Sequence, residues 1–406
     1  MRVKIEPSRA TGRIVAPTSK SIAHRMLICA SLCEGESHIS GITECADVIA
    51  TRECLRALGV KVDIDSRGVY TVRGINIRRA FPRESLFANE SGSTLRFLIP
   101  LCAMAAAPVT LTGSEKLLSR PLSVYEEIFS KEGLSFVRDD GGITVSGGFH
   151  SGEYTVRGDI SSQFITGLLF ALSLCEGRSI IHLIPPVESR SYIDLTLDAM
   201  QLFGIHARFL DQFTIGIESG RYQPREVTVE GDYSASAFLE ALNLLGGEVE
   251  VLGMNENTKQ GDSVYRKIFP KINKGFVTED ISDCPDLAPI LFALSAARHG
   301  GRFLGTDRLK IKESDRAEAM RSELLKLGAE LTVGDNEVTV AGSALHAPTS
   351  PICSHNDHRI VMAMATLLTQ VGGEIEGAEA VAKSYPDYFS HLRALGIKVI
   401  EYDTDK

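Results

Sequence analysis

The sequence predicts an α/β protein of six repeats in two groups of three. Three observations predict it. A helix-length apolar run occurs six times, opening at Ser21, Ser93, Ser162, Ser234, Asp286 and His358. The openings lie 72, 69, 72, 52 and 72 residues apart. Most runs end at Gly or Pro and pass into a strand-like segment, so one supersecondary unit is written repeatedly.

Taken in order, the first run is SIAHRMLICASLCEGESHI and the second STLRFLIPLCAMAAAPVTL. The third is SQFITGLLFALSLCEGRSII and the fourth SASAFLEALNLLGGEVEV. DLAPILFALSAARHGGRFL and HRIVMAMATLLTQVGGEIE are the fifth and sixth. Each is apolar nearly all round, so each is expected to be buried. A second series alternates with the first and opens at Asp47, Pro121, Tyr192, Asp262, Asp315 and Pro386. Its apolar residues recur every three or four positions with charges between, which predicts helices with one face in solvent. Most end in Gly before a strand, the expected C-terminal stop. Each repeat therefore reads as helix, strand, amphipathic helix, strand, plus a further strand or hairpin. The strand Arg2–Ile5 precedes the first repeat and has no partner within it. It is expected to pair with strands of the other half. The chain then crosses twice between domains, near Pro17–Lys20 and Glu226–Glu230. The expected domains are 19–228, and 1–18 plus 229–406.

Composition narrows the class. A chain of 406 residues exceeds one ordinary core. Hydrophobic residues make up 44% and charged residues 23%, as in globular proteins. No apolar run reaches the roughly 18 uncharged residues of a membrane span, and MRVKIEPSRATG lacks a signal-peptide core. A cytoplasmic protein with no membrane partner is expected. The net charge is −9 without a basic tail, which argues against nucleic acid. The eight cysteines form no CxxC pair and read as small hydrophobes in a reduced compartment. His355 and His358 make an HxxH pair, but not the HExxH spacing of a helical metal site. No metal is expected.

Polar clusters gather where the buried runs begin. Lys20, Ser21 and Arg25 surround the first start, in PTSKSIAHR. Asn89-Glu90-Ser91-Gly92-Ser93-Thr94-Leu95-Arg96 leads into the second, and Ser161-Ser162-Gln163 into the third. Asp283 and Asp286 flank Cys284-Pro285 at the fifth. Lys310–Arg316 fill a turn, and Asn356–Arg359 and Lys383–Tyr388 add cations. Helix N-termini present unpaired N–H groups and a positive dipole end, so cations beside them make an anion site. Each cluster also has a local explanation: serines cap helices, and Asp286 reads as an N-cap of the fifth.

The segments PTSKSIAHR, SGSTLR, LSRP, SSQF, SRSYID, DCPDLAP, KESDR, NDHR and KSYPDYF resemble the signature segments of the 5-enolpyruvylshikimate-3-phosphate synthase family. They occur in the family's order along the whole chain. The resemblance implies two similar inside-out α/β domains of three repeats each, the enolpyruvyl transferase fold, with the active site in the cleft between them. It implies transfer of the enolpyruvyl group of phosphoenolpyruvate to the 5-hydroxyl of shikimate 3-phosphate, with release of phosphate. Lys20, Ser21, Arg25, Ser161, Ser162, Gln163, Ser189, Tyr192, Asp286 and Lys312 are then expected at shikimate 3-phosphate. Lys20, Gly92, Arg120, Gln163, Arg316, Arg359 and Lys383 are expected at phosphoenolpyruvate. Asp286 is the expected base, Glu313 the expected acid, and Lys20 stabilises developing charge. Neither cofactor nor metal is implied, and the family expectation is a monomer.

The chain departs from the commonest family pattern at Glu90, where an amide is usual, at Ser93, where threonine is usual, and at Arg308, where some members place Asn. Three rival readings fit the sequence less well. The sister enzyme acting on UDP-N-acetylglucosamine usually has a reactive Cys in the loop that here reads Gly113–Arg120 and holds none. RNA 3′-phosphate cyclase fits poorly with the acidic charge. A non-catalytic anion-binding protein would need the cations but not Asp286 and Glu313.

Overall fold

The computed structural model describes residues 1–402. It divides into a continuous unit, Thr18–Glu230, and a split unit, Met1–Pro17 with Gly231–Lys406. Each has its own apolar core.

The six apolar runs are six buried helices. In the continuous unit they are Lys20–Ser31, Gly92–Ala103 and Ser162–Leu172. In the split unit they are Tyr233–Leu244, Ala288–Ala296 and His358–Val371. Every residue of Ala288–Ala296 is buried, as its unbroken apolar composition requires. Glycine permits the closest helix approach. A Cβ on Gly167 would lie 2.2 Å from Tyr125 Oη and 2.5 Å from the Arg96 carbonyl, so the second and third helices pack there without a side chain between them.

Caps set where these helices begin. Ser91, Asp232 and Asp357 accept from the backbone N–H of Thr94, Ala235 and Arg359 at 3.2, 2.9 and 2.9 Å. Ser161 accepts from Gln163 N–H at 3.3 Å. The expected cap at Asp286 is absent. A short 3₁₀ turn, Pro285–Leu287, leads into the fifth helix, and neither turn nor helix has a side-chain cap bond. Pro285 supplies the first turn's geometry instead.

The amphipathic series forms Ala46–Ala57, Ser123–Lys131, Arg190–Leu202, Tyr265–Ile272, Arg316–Lys326 and Tyr388–Ala394. The strands follow one scheme. A strand after each buried helix takes a parallel neighbour on one side and, in most repeats, an antiparallel neighbour on the other. In the third repeat Arg178–Ile184 lies parallel to Glu153–Arg157 and antiparallel to Thr214–Glu218, which pairs onward with Ala207–Phe209. The fourth repeat lacks this hairpin: Glu248–Leu252 pairs only with Thr11–Val15. The missing hairpin accounts for the single short spacing of 52 residues.

The first strand completes the last repeat. Arg2–Glu6 lies between Gly373–Glu376 and Lys398–Tyr402, antiparallel to both. Val3 and Ile5 are fully buried there. Period-two alternation puts them on one face of the sheet, against the core of the split unit. Ile5→Ala is therefore expected to lower stability by about 2–5 kcal/mol. Urea unfolding checks this, and a shift near zero would mean that the strand adds nothing to the core.

Candidate active site

In the continuous unit, one cluster forms at the start of the first helix. Lys20 Nζ donates to Asp47 at 2.7 Å, with both side chains largely buried. Arg25, five residues on, is 2% exposed. Its guanidinium donates to the Ser21 carbonyl, the Tyr192 carbonyl and Thr196 Oγ1 at 2.6, 2.9 and 2.9 Å. Burial lowers its pKa to about 10, so it stays charged at neutral pH. Arg25 thus ties the first helix to Arg190–Leu202, and with it Ser21 to Tyr192. Beneath them His24, Thr51, Thr94 and Ser91 form a hydrogen-bonded chain at 2.7, 2.6 and 2.7 Å. Burial, then Lys20 and Arg25, hold His24 well below its ordinary pKa, hence neutral.

A second cluster joins the starts of the second and third helices. Gln163 accepts from Arg96 Nη1 at 2.7 Å and donates to Ser93 Oγ at 3.0 Å. A Cβ on Gly92 would meet Arg120 Nη1 at 3.0 Å, Arg96 Nη1 at 3.3 Å and Gln163 Oε1 at 3.6 Å. Glycine is needed there because two guanidinium groups crowd its backbone. Arg96 stands within SGSTLR, and its place inside an apolar run conceals its contact with Gln163. Ser161 and Ser162 lie buried at the third helix start. Ser189 precedes Arg190–Leu202 in the left-handed region, φ +54°, which non-glycine residues seldom occupy.

The split unit holds the other expected residues. Asp286 accepts from Arg316 Nη1 at 2.7 Å and from Arg359 Nη2 at 2.8 Å, and lies 3.4 Å from Lys312 Nζ. Arg316, 2% exposed, also donates through Nε to Asp357 at 2.9 Å. Asp357 thus caps the sixth helix and holds Arg316 at once. Glu313 Oε2 lies 2.9 Å from His358 Nδ1. Lys383 Nζ donates to the Asn356 carbonyl at 2.6 Å, within a left-handed turn at His355 and Asn356.

The charges shift one another. Burial would raise the pKa of Asp286, but Arg359, Lys312 and Arg316 hold it well below 3.8. Burial lowers that of Lys312 to about 8, against Asp286 and with help from Arg308, Arg316 and Arg359. Asp262, its neighbour from another repeat, is pushed up to about 6 by burial and by Asp286. Arg308 is 6% exposed, so the family departure there adds a buried cation beside Lys312. Glu313, Asp357 and His358 offer ligand atoms within 4.8 Å of one another. The hydrogen bonds above already employ them, and a guanidinium on Asp357 suits a cation site poorly. His355 bonds Glu323 at 2.8 Å, so the HxxH pair serves two different carboxylates. All eight cysteines are free thiols, seven of them buried.

A family model described as EPSP synthase (3-phosphoshikimate 1-carboxyvinyltransferase) matches residues 5–392. The 3-phosphoshikimate 1-carboxyvinyltransferase of Clostridium kluyveri is 37% identical, covering 100% of this chain and 99% of that one. Its counterpart in Clostridium acetobutylicum is 36% identical, covering 98% of each. The solved structure of EPSP synthase from Acinetobacter baumannii is similar in fold, with TM-score 0.77 and 22% identity over 98% of this chain and 100% of that one.

Three cations on one carboxylate make Asp286 a structural residue as well. Asp286→Asn is expected to destabilise by about 2–4 kcal/mol, since it leaves buried cations uncompensated. The depressed pKa sets the sign with pH. The contribution is complete above the ordinary value of 3.8 and fades as pH falls below it toward the folded-state pKa. Guanidinium midpoints for both proteins at pH 7 and pH 3 measure this. A loss under about 1 kcal/mol at pH 7 would match a mere cap exchange.

Proposed function

The chain belongs to the EPSP synthase family, and we propose that the clusters of its two units act on one pair of substrates. The enzyme is a 3-phosphoshikimate 1-carboxyvinyltransferase of the shikimate pathway, in aromatic amino-acid biosynthesis. Its substrates are shikimate 3-phosphate and phosphoenolpyruvate, both multiply anionic. The observation that carries the residue assignment is the gathering of Lys312 and Arg316 from the fifth repeat, and Arg359 from the sixth, around Asp286.

In this reading Arg120 beside Gly92, with Arg316, Arg359, Lys383 and Lys20, holds the phosphate and carboxylate of phosphoenolpyruvate. Guanidinium forks suit both groups. Ser21, Arg25, Ser161, Ser162, Ser189, Tyr192 and Lys312 hold shikimate 3-phosphate. Gln163, with one face on Arg96 and the other on Ser93, touches both ligands. Glu313, hydrogen-bonded to His358, delivers a proton to the methylene carbon of the enol. Asp286 takes the proton of the 5-hydroxyl as its oxygen bonds to the neighbouring carbon. The tetrahedral adduct then loses phosphate and a methyl proton, which restores the enol. Two carboxylates in unlike surroundings can divide base and acid roles. The two units serve as the domains expected from sequence, and the enzyme works as a cytoplasmic monomer. Among the described residues no helix is long and apolar enough to cross a membrane.

Two measurements test the assignment. Asp286→Asn is expected to lower turnover by about 10² to 10⁴, the usual contribution of a positioned base. Turnover at wild-type speed would remove Asp286 from the chemistry. The second concerns Lys312, whose pKa is lowered to about 8. Affinity for shikimate 3-phosphate is expected to fall as pH rises through 8, and Lys312→Arg should abolish that limb because arginine stays protonated. Superimposable pH profiles would place Lys312 away from the ligand.

A further inference from the structure

Asp286 faces two demands. As a base it must accept a proton, yet Arg316, Arg359 and Lys312 hold its carboxylate at 2.7, 2.8 and 3.4 Å. Arg316 and Arg359 are also the groups assigned above to the anions of the enolpyruvyl donor. A guanidinium N–H that lies along a carboxylate oxygen cannot serve a phosphate oxygen equally well.

We propose that Asp286 competes with the donor's anionic groups for Arg316 and Arg359, so that donor binding displaces the carboxylate and thereby makes it a competent base. This rests on the assignment above and deepens it to the control of the same site. The displacement makes and breaks no covalent bond; ion pairs are exchanged. A carboxylate held by three cations has little proton affinity, and its depressed pKa agrees with that. When phosphate and carboxylate oxygens take over the guanidinium groups, the positive field at Asp286 is neutralised from the other side. Its proton affinity rises only then. The 5-hydroxyl is consequently activated only when the group it will attack is in place.

The second contact of Arg316 makes the exchange feasible. Its Nε stays on Asp357, which is fully buried and fixed by its cap bond to Arg359 N–H. The guanidinium is therefore anchored at one edge while the Nη1 edge changes partner. Asp286 is 19% exposed and has room to turn away; Asp357 has none.

The test uses the full-length protein and inorganic phosphate as the probe, followed by calorimetry and by thermal melting. With the competitor neutralised, Asp286→Asn should bind phosphate about tenfold tighter than wild type. Phosphate should also raise its melting temperature more, because the anion replaces the missing carboxylate. The gain should persist at about 1 M salt, where the Debye length is near 3 Å and long-range fields vanish. Unchanged or weaker phosphate binding overturns the proposal, and so does a gain that salt abolishes. Asp286→Ser provides the same comparison if the Asn variant does not purify. Turnover is read separately. Lost turnover with unaltered phosphate affinity refutes the competition and leaves Asp286 as base. Full turnover with tighter phosphate refutes the base and leaves the competition.

Discussion

A helix buried on every side can offer chemistry only at its ends, and this constraint organises the whole molecule. The fifth helix has no exposed residue, and the sixth is buried from His358 to Thr369. Most of the polar residues that these helices are proposed to bring to the substrates stand at the first turn, where N–H groups lack helical partners and the dipole end is positive. Lys20, Gly92, Ser162 and Arg359 all stand there. The repeat thus dictates where the site lies before any particular residue is chosen.

Placing cations at buried helix starts creates a second problem, since each needs a counter-charge. Arg316 at 2% exposure would be untenable alone. Asp357 and Asp286 stabilise it from two sides, and Asp47 does the same for Lys20. Arg25 is handled differently: carbonyls and a hydroxyl, not a carboxylate, take its N–H groups, and its ring contact is the face of Phe97 at 5.2 Å. It keeps a net positive charge with no anion beside it. Carboxylates that neutralise cations in the split unit are the same groups that can move protons. In the proposed chemistry, structural pairing and proton transfer both draw on Asp286.

The sequence made the repeats legible because apolar periodicity is local. The buried helices begin within a few residues of the expected openings, and the unpartnered first strand does pair with the last repeat. What stayed hidden was pairing between residues far apart in sequence. Asp286 reads as a cap because Asp before an apolar run usually is one, yet its partners Lys312, Arg316 and Arg359 stand 26, 30 and 73 positions away. Asp47 reads as a helix opening, and its helix does begin at Ala46, but its ion pair with Lys20, like that of Asp357 with Arg316, appears only in three dimensions. Arg96 was concealed by its apolar neighbours. The short 52-residue interval was a signal that could have been read, since it equals a repeat without its hairpin.

The division of labour between the units has a physical logic. The continuous unit contributes hydroxyls, an amide and cations: Ser161, Ser162, Ser189, Gln163, Lys20 and Arg120. The split unit contributes both carboxylates of the proposed chemistry, Asp286 and Glu313, with Lys312, Arg316, Arg359 and Lys383. The proposed acid and base therefore belong to one core and to ion pairs within it. Their mutual geometry is set by the packing of the fifth and sixth helices and by Arg316 between Asp286 and Asp357. Proton transfers depend on tenths of an ångström, whereas anion binding through flexible cations tolerates more. Keeping the proposed proton-moving groups on one packed core assigns the stricter tolerance to a single unit.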